Sequence, residues 1–91
     1  MGRTRRRRVE GGLPLYRRPV DSTLLRAVGY DLASSVLEIE FLDPPRLYQY
    51  FDVPLSVYSE LMAAESKGAY FNEHIKDMYT YQEYENPPSP D

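Results

Sequence analysis

At Val53-Pro54 the apolar pattern of this chain changes its period, and that change limits the fold more than any other feature of the sequence. Before it, Leu37, Ile39 and Phe41 alternate with Glu38 and Glu40, the period of a half-buried strand with one wet side. Arg46 to Asp52 resumes the alternation, with Tyr48 and Tyr50 on one face and Leu47, Gln49 and Phe51 on the other. Thr23 to Tyr30 reads as a first strand, followed by the small polar turn Asp31 to Ser35. The breaks between these segments are short, and Asp43-Pro44-Pro45 is one of them, so an antiparallel meander is the expected topology. After Pro54, Val57, Tyr58, Leu61 and Ala64 recur at helical spacing. Gly68 is expected to stop or link that helix. A second helix is expected from about Ala69 to Met78, with Phe71, Ile75 and Met78 or Tyr79 as its stripe. The fold class is therefore α+β: a three-stranded antiparallel meander followed by two helices, one of which must cover the sheet for it to be stable. The expected core is Leu25, Val28, Tyr30, Leu37, Ile39, Phe41, Tyr50, Val57, Tyr58, Leu61, Phe71 and Ile75.

Charge divides the chain more sharply than the net −3 suggests. Residues 1–18 hold seven Arg and one acid, for +6, while residues 19–91 hold four basic residues and 13 acids, for −9. The first 20 residues add Gly2, Gly11, Gly12, Pro14 and Pro19 to the Arg run and offer few apolar groups, so they read as a disordered basic arm. Residues 21–82 form the expected domain, and residues 83–91, with three prolines near the end, a Pro-rich acidic tail. With 91 residues there is room for one small domain. The chain has no Cys, which rules out a disulfide framework, a thiolate nucleophile and a Cys-based zinc site. No apolar run approaches the roughly 18 residues of a membrane span, and no signal peptide is visible, so a cytoplasmic protein that does not engage a membrane is expected.

The residues that can carry function are few. Tyr48 and Tyr50 project from one strand face, where they either pack beneath the helices or offer rings to unstacked bases. Arg46, Lys67 and Lys76 are the nearby positive charges that would meet phosphates, although each also reads as an ordinary solvated residue. Arg3, Arg5, Arg6, Arg7 and Arg8 make the most explicit polyanion feature, one that attracts phosphates without specifying a sequence. Glu38 and Glu40 show the alternation of a solvent-facing strand side and not a paired catalytic site. His74 is the sole histidine and, with Asp77, makes at most two ligands, so no metal or other cofactor is expected. No nucleophile elbow surrounds any Ser, and no Gly-rich loop is built to hold phosphates.

The order of short motifs is itself informative. It runs Gly29-Tyr30-Asp31, Leu37-x-Ile39-x-Phe41, Tyr48-Gln49-Tyr50, Val53-Pro54, Val57-Tyr58, then Ser66-Lys67-Gly68-x-Tyr70-Phe71-Asn72 and Ile75-Lys76. From about Ser22 to Tyr81 this resembles the KTSC domain family, whose signature is a Tyr-x-Tyr followed by a Ser-Lys-Gly-x-Tyr-Phe-Asn stretch. Asp43-Pro44-Pro45 departs from the family, in which that turn is Gly-rich, and the Arg-rich arm lies outside the domain. The resemblance implies a small domain, found at the C-terminus of some lysyl-tRNA synthetases and as stand-alone bacterial proteins, with RNA binding proposed for it and no catalytic residues. The expectation is a non-enzymatic nucleic-acid-binding accessory module, for RNA, using the arm and the Tyr-x-Tyr strand. The alternative is a protein interaction adaptor using the acidic body and the segment Tyr79, Tyr81 and Tyr84.

Overall fold

A computed structural model describes residues 16–84. The elements are β1 (Arg18–Pro19), β2 (Leu25–Asp31), β3 (Val36–Phe41), β4 (Arg46–Tyr50), α1 (Leu55–Ala63), α2 (Lys67–His74) and β5 (Tyr81–Tyr84). The strands form one antiparallel sheet in the order β1-β2-β3-β4-β5, each beside its sequence neighbour. The α+β meander is present, but the sheet has five strands rather than the three expected. Both additions are edge strands. β1 is only two residues long and contains a proline, which suits an edge because it lacks the N–H that a central strand must donate. It also falls inside the span read as a disordered arm, whose residues 1–15, with all five arginines of the run, lie outside the described residues. β5 takes in Glu83 and Tyr84, the start of the expected tail, and residues 85–91 likewise lie outside.

Register assigns the faces. Val28 pairs Ile39, which pairs Tyr48, and Tyr30 pairs Leu37, which pairs Tyr50. These side chains share the face on which the helices lie. Leu25, Val28, Leu37, Ile39 and Tyr50 join Val53, Leu61, Phe71 and Ile75 in one buried cluster. Tyr30, Phe41, Val57 and Tyr58, expected in the core, are half-buried around it. Tyr30 stacks on Tyr58 at 5.0 Å and donates its hydroxyl to the Val53 carbonyl at 2.6 Å. Ala27, Leu47 and Val53 are buried without having been expected.

The helix boundaries correct two expectations. α1 ends at Ala63, and Lys67 Nζ donates to the Ala64 carbonyl at 3.0 Å, satisfying a group that the helix end leaves unpaired. Gly68 is therefore no helix stop; it lies inside α2, where an added Cβ would come within 3.2 Å of Leu24 Cβ. Its role is close approach of the helix to the chain before β2. Ser66 caps α2, accepting from the Ala69 N–H at 3.2 Å. The helix starts and stops earlier than expected, so Met78 falls in a turn and is 66% exposed instead of completing an apolar stripe. Among the described residues no helix is long and apolar enough to cross a membrane.

The opposite face of the sheet holds the largest departure. Glu38, expected to face solvent, is completely buried. Its carboxylate accepts from Arg17 Nη1 and, at 2.6 Å, from Gln49 Nε2. The Gln49 carbonyl oxygen accepts from the Tyr84 hydroxyl at 3.0 Å, and Glu40 accepts from Arg17 Nε at 3.2 Å. Alternation reveals which residues share a face but not what covers that face, and the cover here comes from Arg17, 21 residues earlier in the chain. Gly29 makes room for it, since a Cβ there would lie 2.6 Å from the Tyr16 carbonyl oxygen.

Two stability measurements test this description. Leu61→Ala or Phe71→Ala should each cost roughly 2 to 5 kcal/mol in urea unfolding, and an unchanged melting temperature would refute the core. Arg17→Ala should cost about 3 kcal/mol, because it leaves the Glu38 carboxylate buried beside Gln49 alone. Arg26→Ala, which removes an exposed guanidinium 3.7 Å from Glu40, should have little effect.

Candidate nucleic-acid interface

On the helix-covered face, between β4, β5 and the end of α2, aromatic rings collect around a cavity of about 330 Å³. Its apolar wall is built from Leu24, Phe41, Pro44 and Phe71. Phe41 meets Phe71 edge-on at 5.3 Å and Tyr48 edge-on at 5.3 Å, so β3, β4 and α2 fix one another there. The register that sets Tyr50 opposite Tyr81 brings β5 into the same group. Tyr48 stacks on Tyr50 at 6.0 Å and on Tyr81 at 5.2 Å, with interplanar angles of 23° and 16°.

The three tyrosines play different parts. Tyr50 is buried and meets Phe71 edge-on at 5.7 Å, so it serves as floor and packing and offers no open ring. Tyr48 is half-buried, and Tyr81 is 54% exposed. The rings that reach solvent are thus Tyr48 and Tyr81, not the Tyr48 and Tyr50 of the sequence motif. Tyr81 belonged to the segment assigned to protein docking in the alternative reading. Its approach to Tyr48 depends on β5, a strand whose pairing has no signal in local sequence.

Polar groups surround the rings. Arg46 and Lys76 line the cavity together with Asn72, Asp43 and Asp77. Arg46 Nη1 donates to the Glu83 carboxylate, which holds the guanidinium above its ordinary pKa through that hydrogen bond and the charge. Burial pushes the Tyr48 hydroxyl up, and the neighbouring Glu83 carboxylate adds to this. Glu83, opposite Tyr48 in the register, thus lies beside both Arg46 and Tyr48 at the rim. Burial also pushes the Tyr50 hydroxyl up, with smaller contributions from Tyr48, Tyr81 and Asp77.

Of the sequence-predicted residues, the structure gathers Arg46, Tyr48, Tyr50 and Lys76 at one cavity and leaves Lys67 elsewhere, at the end of α1. Arg3, Arg5, Arg6, Arg7 and Arg8 lie outside the described residues. Asn72 was quoted in the family motif but not as a candidate contact. His74 sits apart, with its ring 4.4 Å from Tyr70 and its Nε2 3.6 Å from Glu73.

The KTSC domain profile matches residues 21–79, about two thirds of the chain. The chain belongs to the KTSC domain family. A solved structure of a KTSC domain protein from Yersinia pestis superposes on it with a TM-score of 0.74 at 34% identity, covering 78% of this chain and 99% of that one. A lysine–tRNA ligase from Nostoc sp. is 38% identical over 63 residues, which are 69% of this chain but 11% of the ligase. A protein from Tsukamurella paurometabola is 38% identical over 61 residues, 67% of this chain and 90% of its own length. The KTSC domain here thus spans a small part of the ligases it matches and nearly all of the short relative. The match ends at residue 79, so β5 and Tyr81 fall beyond it.

Hydroxyl titration tests this KTSC site. Tyr70, which donates to Glu60 at 2.7 Å, has its hydroxyl pushed up to about 12 by burial and then by that bond. Tyr48, Tyr50 and Tyr70 should ionise later than an ordinary tyrosine near pH 10 when absorbance is followed at alkaline pH. Because the folded state holds these protons more tightly than the unfolded chain, their stabilising contribution is complete below about pH 10 and is lost as pH rises through the folded values. Melting temperatures that do not fall between about pH 10 and 12 would contradict it.

Proposed function

We propose that this KTSC domain is a non-enzymatic nucleic-acid-binding module that takes single-stranded RNA on the Tyr48 and Tyr81 rings, with Arg46 and Lys76 beside them and the Arg-rich arm supplying electrostatic capture. The observation that carries the reading is the stacked pair Tyr48 and Tyr81 at the edge of an aromatic cavity, half open to solvent and flanked by two basic side chains. Flat exposed rings beside cations are how single-stranded nucleic acid is usually held: each base has a π-face, and stacking contributes about 1 to 3 kcal/mol per base. The similarity to a region of lysine–tRNA ligases is in keeping with a partner made of RNA. The adaptor reading has less to work with. Of its three tyrosines, Tyr79 packs against the core and Tyr84 donates to Gln49, which leaves Tyr81 as the one with an exposed ring.

The arm and the body make separable predictions. If the five arm guanidiniums reach phosphates, log affinity should fall with log salt at a slope of about −3.5 on single strands. Replacing all five with Gln should remove most of that slope. This is a better comparison than truncation at residue 20, which would also delete Arg17 and β1 and so expose Glu38. Tyr48→Ala with Tyr81→Ala should weaken binding of fluorescent single-stranded RNA by at least roughly fivefold at constant salt, with folding checked by circular dichroism. Undiminished affinity in that folded variant would remove the base-stacking role.

A further inference from the structure

We propose that the cavity beside Tyr48 and Tyr81 selects a guanine base; this rests on the RNA-binding reading above and deepens it. The lining carries three kinds of group. It has aromatic faces in Tyr48 and Tyr81, one amine in Lys76, and two carboxylates in Asp43 and Asp77. Among the described residues, none of Lys76, Asp43 and Asp77 is engaged in an ion pair, whereas Arg46 is already held by Glu83. A free phosphate would find Lys76 but also two unneutralised acids. A lone cation would find the acids and the rings but also Lys76.

A nucleotide with a hydrogen-donating base edge satisfies all three. Its base lies against the rings, its phosphate reaches Lys76, and its edge donates to a carboxylate. A carboxylate only accepts, so it needs donors side by side. Guanine supplies them as N1–H and N2–H₂ on its Watson–Crick edge, the edge that single-stranded RNA leaves free for reading. Adenine, cytosine and uracil each interrupt that edge with an acceptor, which would face the carboxylate unfavourably. The cavity volume of about 330 Å³ is at the low end of the roughly 300 to 1,000 Å³ typical of small-molecule sites, the scale of one nucleoside rather than a run of them. Asn72, at the same cavity, adds an amide able to meet the guanine carbonyl.

The test uses the full chain with labelled tetranucleotides that differ at one position: AAGA, AAAA, AACA, AAUA, and AAIA, in which inosine keeps N1–H but lacks the N2 amino group. The arm contributes equally to all five, so their differences report the base. AAGA should bind at least about tenfold more tightly than AAAA, and AAIA should lose most of that advantage. Asp43→Asn with Asp77→Asn should reduce the AAGA advantage over AAAA to less than about twofold, and an undiminished advantage would overturn the carboxylate contact. Equal affinities, or AAIA equal to AAGA, would overturn the guanine assignment; if Tyr48→Ala still weakened binding, the RNA-binding reading would stand. Binding that ignores both base and tyrosine would overturn both, and displacement of AAGA by arginine amide at constant ionic strength with no base preference would identify the cavity as a cation site.

Discussion

A carboxylate with no exposed surface has to be satisfied by its neighbours, and in this KTSC domain most of the sheet is organised around that requirement. Glu38 lies on the central strand. Arg17 reaches it from beside one edge, Gln49 from the next strand, and Tyr84 continues the chain of hydrogen bonds to the other edge. The network thus spans the whole width of a sheet whose edge strands are two and four residues long. Such edges have little ladder of their own, and a charged group that needs partners from both sides gives them a defined position.

The other face carries the helices. The helices and the aromatic seam from Phe41 through Phe71 and Tyr50 make the apolar core on that side, and the same seam continues outward into Tyr48 and Tyr81. Core and cavity share side chains: Tyr50 and Phe71 belong to both. The exposed rings are consequently held by packed ones, which limits the side-chain entropy that the proposed base stacking would cost.

Much of the fold was legible because it follows from local period. The alternation of Val36–Phe41 fixed which residues share a face, and the change after Pro54 located α1. That Tyr48 and Arg46 share one face of a strand was legible for the same reason, since both sit on a strand with a readable pattern. What escaped was long-range. A two-residue strand has no period, and nothing in Val36–Phe41 says that an arginine 21 residues away will cover Glu38. Tyr81 joined the site through pairing with Tyr50 across a connection that holds two helices. Gly68 was misread because a glycine near a helix end usually marks a stop, whereas here it marks contact with Leu24, visible only once the helix is docked.

The in-order arrangement of the strands has a kinetic side. β2, β3 and β4 are joined by short turns, so their pairing closes small loops and can proceed early and locally. β5 pairs with β4 across the interval that holds α1 and α2, so closing that loop costs more chain entropy than the turns between β2, β3 and β4, and the place of the Tyr81 ring depends on that costlier closure.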